Sequence, residues 1–202
     1  MVYKIGLAST HGTGKTTLAA LVEGELKRRG LIAKYLPEVA SQAIERGLPI
    51  NHETTPQAQY WILHQQAAQE LLYEGPRETP PYYQVIITDR TVLDNYCYYA
   101  YHFGQDKRTL AVVLDHVKKF PYSQVYVVPR MNHAIQADGL RDVSQEMRVK
   151  IDQEIRALLQ KQEIPHHILP IPEERDRYRD SWVRLIVNQT LQDLRCPEGD
   201  YM

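Results

Sequence analysis

Cysteine is scarce in this chain. Only Cys97 and Cys196 occur among 202 residues, and they form no CxxC pair. The stretch before the first motif, Met1–Ala8, is too short for a secretory leader. These features argue against a disulfide framework and lead us to expect two reduced thiols in a cytoplasmic protein. An excess of charge of one sign is lacking too. The formal net charge is −1, so no global field draws the chain onto nucleic acid or an anionic membrane, although a local basic groove is compatible with that balance. No run approaches the roughly 18 apolar residues that a bilayer span requires, so no membrane partner is expected. Repeats and low-complexity tracts are missing. His166-His167 and the other histidines fall into no HExxH pattern, and no zinc site is read.

What is present has the balance of a soluble globular protein: 43% apolar and 24% charged residues, against the polar excess of a disordered chain. The length suits one domain with a full core and is short for two, so residues 1–202 are read as a single domain. Strand and helix patterns alternate. Val2–Ala8 is a short β-prone run, followed by a helix over Lys15–Arg29 with Leu18, Leu21, Val22 and Leu26 at helical spacing and Gly30 at its close. Leu31–Leu36 reads as the second strand, and a helix from Pro37-Glu38 stops near Gly47. Thr55-Pro56 is an N-cap followed by proline at the first helical position. It opens Gln57–Tyr73, with Ala58, Trp61, Ile62, Ala68, Leu71 and Leu72 expected on one side. Tyr83–Thr88 is the clearest strand, continuously apolar at its centre as a strand buried on both faces would be. Helices over Val92–Phe103 and Arg108–Phe120, a strand Gln124–Val128, a polar loop Pro129–Asp142, a helix Val143–Gln160, a strand His166–Pro170 and a helix Glu173–Leu194 complete the chain. The last helix is expected to bury Trp182, Leu185, Ile186 and Leu191. Such alternation implies a parallel sheet covered on both faces, with the ligand site at the carboxyl ends of the strands.

Ser9-Thr10-His11-Gly12-Thr13-Gly14-Lys15-Thr16 follows a predicted strand and opens a predicted helix, the setting that a phosphate-binding P-loop needs. Gly12 and Gly14 let the backbone turn so that N–H groups converge on phosphate oxygens, aided by the positive end of the helix dipole. Lys15 brings a cation to the β- and γ-phosphates, and Thr16 offers a hydroxyl to Mg²⁺. Thr10, His11, Gly12, Thr13, Gly14, Lys15, Thr16 and Thr17 are the expected nucleotide contacts, with ATP and Mg²⁺ as cofactors. The pattern departs from GxxxxGK[ST] at its first position, where Ser9 stands for glycine.

Guanine recognition by Asn-Lys-x-Asp and the Leu-Ser-Gly-Gly-Gln segment of transporter ATPases are both absent. The chain resembles the P-loop nucleoside and nucleotide kinases, including thymidylate kinases and deoxynucleoside kinases. Within that group it looks like the branch near the ribosylnicotinamide kinase domain, whose members carry an AAA-type ATPase label. The resemblance implies a three-layer P-loop NTPase fold: a five-stranded parallel sheet flanked by helices, with a short lid over about 129–142. It also assigns roles. Leu36-Pro37-Glu38 ends the second strand, and in the resembling kinases an acidic residue there serves as base or orienting group for the acceptor hydroxyl; a carboxylate at a helix N-terminus, favoured by the dipole, is the plainer reading. Thr88-Asp89-Arg90-Thr91 ends the strongest strand. Asp89 would hold Mg²⁺ with Thr16, and Arg90 would clamp an acceptor or phosphate oxygen; a surface ion pair is the alternative. Asp138-Gly139-Leu140-Arg141 looks like the lid, with Arg141 first and Arg130 and Arg148 behind it as stabilisers of transition-state charge, against an ordinary solvated loop.

Other stretches say less. Tyr60, Trp61, His64 and Gln65 lie on the helix that lines the acceptor pocket in the resembling kinases, with Trp61 read as packing and Gln65 as a candidate contact. In Tyr96-Cys97-Tyr98-Tyr99-Ala100-Tyr101 one or two rings are expected at the cleft. Pro170-Ile171-Pro172 is where adenine rests in this fold class, by the same resemblance. The expected activity is an ATP-Mg²⁺-dependent kinase that moves the γ-phosphoryl group to a small nucleoside- or nucleotide-like acceptor, using Lys15, Glu38, Asp89, Arg90 and Arg141. A regulatory ATPase switch and a polynucleotide end kinase are the alternatives, the near-neutral charge arguing against nucleic acid except at an end. A homodimer is left open.

Overall fold

A computed structural model describes residues 2–76, 80–130, 145–171 and 178–195. The elements run β1 (Tyr3–Ala8), α1 (Lys15–Arg28), β2 (Ala33–Leu36), α2 (Val39–Glu45), α3 (Pro56–Glu74), β3 (Val85–Asp89), α4 (Val92–Phe103), α5 (Lys107–Lys119), β4 (Gln124–Val127), α6 (Gln145–Lys161), β5 (His167–Ile168) and α7 (Tyr178–Arg195). The five strands pair in parallel in the order β2-β3-β1-β4-β5, with Ile5 opposite Ile87 on one side and Gln124 on the other. After β1 the chain crosses to β2 at one edge of the sheet, and after β3 it crosses to the opposite side of β1 to form β4. The carboxyl ends of β1 and β3 therefore flank the point where the winding reverses, the usual ligand crevice of such sheets.

Every residue of β1 and β3 is buried. Side chains alternate between faces along a strand. Ile5, Leu7, Val85 and Ile87 accordingly meet Leu18, Val22 and Leu26 of α1 and Trp182 and Ile186 of α7. On the opposite face Ala8, Val125 and Val127 pack with Leu93, Cys97, Met147, Ile151 and Ile155. The Trp182 indole donates to the Pro170 carbonyl at 2.7 Å, so the ring is buried with its N–H satisfied. Gly6 has no room for a side chain: a Cβ there would lie 2.7 Å from Thr91 Cγ2 and 3.1 Å from the Tyr122 ring.

The helix starts obey their sequence signals. Thr55 accepts from Ala58 N–H at 3.3 Å to begin α3, and Thr91 with Asp94 forms a reciprocal capping box at α4. The buried stripe of α3 departs from expectation. It consists of Ala58, Gln59, Ile62, Leu63, Gln66 and Glu70, whereas Ala68, Leu71 and Leu72 are exposed. The cause is Lys4 inside β1, which is 1% exposed and requires carboxylates; Glu70 and Glu74 meet it at 3.1 and 2.5 Å. On α7 the buried residues include Trp182, Ile186, Val187 and Thr190, while Leu185 faces solvent, as does Leu21 on α1. Among the described residues no helix is long and apolar enough to cross a membrane.

Candidate functional site

The loop between β1 and α1 turns on two left-handed glycines, Gly12 and Gly14, with φ of 68° and 86°. Gly14 is the N-cap of α1 and supplies no side-chain cap, so the first amides of the helix are left for a ligand. Lys15 is buried, and its ammonium donates to the carbonyls of Ser9 and Thr10 at 3.1 and 2.6 Å. Burial depresses its pKa, with Asp89 opposing that shift. At the other end of the loop the Ser9 N–H donates to Asp94 Oδ1 at 2.7 Å, and the Ser9 hydroxyl bonds Thr13 Oγ1 at 3.0 Å. Thr16 and Thr17 are exposed.

Beside this loop, β3 delivers Asp89. It is buried, and its Oδ2 accepts from the Thr16 hydroxyl at 2.5 Å and from the Tyr35 hydroxyl at 3.3 Å. Its Oδ1 is also buried and has no hydrogen-bond partner. Burial raises the carboxyl pKa, and the Glu38 charge adds to that, with Lys15, Thr16 and Arg90 opposing. The next residue, Arg90, stands at φ +88°, a left-handed conformation that non-glycine residues adopt rarely and at a cost. Its Nη2 pairs with Glu38 Oε1 at 2.5 Å, and its guanidinium lies 4.2 Å from the centroid of the Tyr98 ring. Burial alone would lower the Arg90 pKa, but the Glu38 carboxylate and the neighbouring groups raise it. Glu38 is the N-cap residue of α2 and makes no side-chain cap bond. The pairing with Arg90 turns its carboxylate toward the strand ends instead.

A pocket opens from the loop, lined by His11, Glu38, Gln59, Arg90, Asn95 and Tyr98 among others. Thus Lys15, Thr16, Glu38, Asp89 and Arg90 converge, with His11 on the pocket wall. Arg141 lies outside the described residues, as do Asp138, Gly139, Leu140 and all but the first two residues of the expected lid, and Pro172 of the expected adenine edge. Of the arginines placed behind Arg141, Arg148 is buried and bonds Gln145 Oε1 at 3.1 Å. Burial and the nearby Arg130 lower its pKa.

Tyr60, Trp61, His64 and Gln65 are not among the residues lining this pocket. Because α3 turns its polar stripe inward, its contributions to the pocket wall are Gln59 and Ile62. Tyr60 bonds Thr109 on α5 at 2.6 Å, and His64 is exposed. Trp61 packs with Val39, Ala43 and Ile62. In the tyrosine-rich stretch the ring at the pocket is Tyr98, whose hydroxyl accepts the His11 N–H at 2.9 Å. Sequence reasoning missed Asp94, although Thr91-x-x-Asp94 is a capping-box pattern. It also missed Asn95 and Tyr35, which carry no sequence signal.

A family model described as an AAA domain matches residues 4–177. No curated protein matches the chain in sequence. Among solved structures, the chain is similar to a deoxyadenosine kinase from M. mycoides with dCMP and a flexible dCDP bound, at 14% identity and a TM-score of 0.62, covering 94% of this chain and 99% of that one. It is similar to a thymidylate kinase from Ehrlichia chaffeensis at 15% identity and a TM-score of 0.64, covering 95% and 99%. It is also similar to a NadR protein in complex with NAD and AMP-PNP, at 13% identity and a TM-score of 0.68; the match covers all of this chain and 51% of NadR, about half its length. At these identities the likeness establishes the fold: the five-stranded parallel sheet, flanked by helices, of the P-loop kinases.

Proposed function

The chain belongs to the AAA domain family, and from that premise we propose that it is an ATP-Mg²⁺-dependent phosphotransferase acting on a small nucleoside- or nucleotide-like acceptor. The observation that carries this reading is the pair of buried Arg90 and half-buried Glu38, 2.5 Å apart, on the wall of a pocket that opens onto the phosphate loop. A triphosphatase needs only to place water. A carboxylate held by an arginine beside the loop gives a substrate hydroxyl both a proton acceptor and a positive clamp. The ligands named for the structurally similar kinases, deoxynucleotides in one and AMP-PNP in another, are of the same chemical kind.

Two residues suit the metal. Thr16 and Asp89 are hard oxygen donors of the kind Mg²⁺ prefers, and Asp89 Oδ1 is buried with no hydrogen-bond partner. These residues would hold Mg²⁺, which supplies neutralising charge at the β- and γ-phosphates. The rest of the chemistry belongs to the chain. Lys15 exchanges the carbonyls of Ser9 and Thr10 for phosphate oxygens. Arg90 steadies the acceptor and the transferring group, and Glu38 takes the acceptor's hydroxyl proton. The acceptor oxygen bonds to the γ-phosphorus as the bond from that phosphorus to the bridging oxygen breaks, and ADP leaves. Arg141 lies outside the described residues, and its charge-stabilising role is carried by the family resemblance alone.

The test presents the protein with ATP-Mg²⁺ and a panel of nucleosides, nucleotides, vitamins and oligonucleotide ends, scoring ADP release against labelled product. Stoichiometric labelling of one small acceptor is expected. If no acceptor raises ADP release while a partner protein does, the chain is an ATPase switch and the kinase reading falls.

A further inference from the structure

The turn Arg90-Thr91-Val92 carries the left-handed residue of the site, and its backbone polar groups are met from several parts of the molecule. Arg90 N–H donates to the Leu7 carbonyl at 3.2 Å, and Thr91 N–H donates to Asp94 at 2.9 Å. Val92 N–H donates to the Tyr122 hydroxyl at 3.1 Å. The Arg90 carbonyl accepts from the Gln66 side-chain amide at 3.3 Å.

Two of these supports share an anchor. Glu70 Oε1 accepts from Gln66 at 3.0 Å and from the Tyr122 hydroxyl at 2.7 Å. Glu70 Oε2 meets Lys4 at 3.1 Å and His116 at 3.2 Å. Burial alone would raise the Glu70 pKa, but His116, Lys4, Gln66 and Tyr122 together bring it below the ordinary value. The anchor is therefore a fixed carboxylate. Gln66 is buried and lies between two acceptors, so it must present its nitrogen to both; its own carbonyl oxygen is buried and makes no hydrogen bond. The amide is present for what it donates. Neither Gln66 nor Tyr122 lines the pocket.

A non-glycine residue at positive φ relaxes to the ordinary regions unless its surroundings over-determine it. At position 90 that relaxation would carry the guanidinium away from Glu38. We propose that Gln66 and Tyr122, both anchored on Glu70, are positioning residues that hold Arg90 in its left-handed conformation and so keep its guanidinium on Glu38. The proposal deepens the kinase reading, in which Arg90 belongs to the site, but it concerns the geometry of the free protein.

The test uses the whole chain labelled with ¹⁵N-arginine, with the Arg90 Nε–H resonance assigned by its loss in Arg90→Lys. Gln66→Met preserves side-chain length and removes the donor, while Tyr122→Phe preserves the ring and removes the hydroxyl. Val187→Ala, in the core on the opposite face of the sheet, is the control for general destabilisation. We expect both clamp variants to shift the Arg90 resonance. Exchange of that proton with solvent should quicken about tenfold, the factor that corresponds to one lost buried hydrogen bond, and Val187→Ala should leave it in place. An unmoved resonance in either folded clamp variant, or an equal change in Val187→Ala, overturns the proposal. If Gln66→Met does not fold, Tyr122→Phe decides alone. The signal is read without ATP or acceptor, so a failure of the kinase reading and a failure of this one are separately visible.

Discussion

Asp89→Asn keeps the shape of a buried side chain and removes its charge. Asp89 is 1% exposed, and burial with the Glu38 charge raises its carboxyl pKa despite Lys15, Thr16 and Arg90. The ionised form is thus a net burden on the free fold. Asparagine retains an oxygen for the Thr16 hydroxyl, now 2.5 Å from Oδ2, so little hydrogen bonding is lost. We expect the variant to gain about 1 kcal/mol, the scale of relieving a functional site of its strain, and its Tm to rise by roughly 2–4 °C at this chain length. The sign of the pH dependence follows from the raised pKa. The stability that protonated Asp89 contributes is complete below its unfolded value, about 3.9. It is lost as pH climbs through the higher folded value, while asparagine does not titrate. The variant's advantage should therefore be full near neutrality and shrink on acidification toward about pH 4. Urea unfolding of both proteins across that range, without nucleotide, measures it. Isotherms for ATP with Mg²⁺ and with EDTA should show the Mg²⁺-dependent part of affinity lost in the variant. A variant less stable than the parent near neutrality, or an advantage that grows in acid, would refute the reasoning. It would mean that Lys15 and Arg90 outweigh burial.

Gly6→Ala forces a methyl to 2.7 Å from Thr91 Cγ2 and should cost about 1–3 kcal/mol by overpacking; an unchanged urea midpoint would show that the Thr91 turn yields freely. Glu38→Ala leaves the Arg90 guanidinium, 8% exposed, without its carboxylate. It should destabilise by about 3 kcal/mol in denaturant titration, and a loss within error would show that solvent screens the pair. Tyr98→Phe removes the acceptor 2.9 Å from His11 N while keeping the ring under Arg90. It should lower stability by about 1 kcal/mol and leave the Arg90 Nε resonance in place, and displacement of that signal would contradict the separate roles given to hydroxyl and ring.

The fold was legible because its signals are local. Thr55-Pro56, Gly30 and the apolar centre of Tyr83–Thr88 each act through backbone chemistry that a sequence displays. The positions of the phosphate loop and of Glu38, Asp89 and Arg90 near strand ends were legible for the same reason, whereas the roles expected of those three residues came from the family resemblance. The inward face of α3 was not legible. Its orientation is decided by Lys4, a residue 66 positions from Glu70, and no periodicity reports that a charged strand residue will be buried and will need carboxylates. That constraint accompanies the inward turn of Gln59 and Gln66. The left-handed backbone of Arg90 was equally hidden, because arginine gives no propensity signal for positive φ and the supports that hold it come from α3 and the residues before β4.

Ser9 shows how a departure from a motif can be read once the backbone is known. Glycine is demanded where φ is positive or where another chain segment leaves no space for a Cβ. Among the described residues of the loop, positive φ falls at Gly12 and Gly14, so position 9 imposes no such demand. The serine hydroxyl instead ties the first residue of the loop to Thr13 at 3.0 Å, and its N–H is taken by Asp94 at 2.7 Å. Asp94 also holds the Thr91 N–H at 2.9 Å, which follows directly on Arg90. One buried carboxylate thus joins the start of the phosphate loop to the turn that carries Arg90. A shift at either end must be felt at the other, because a buried carboxylate that gives up one of its donors is left under-partnered. The substitution that breaks the motif on paper therefore lies on the link between the two halves of the site.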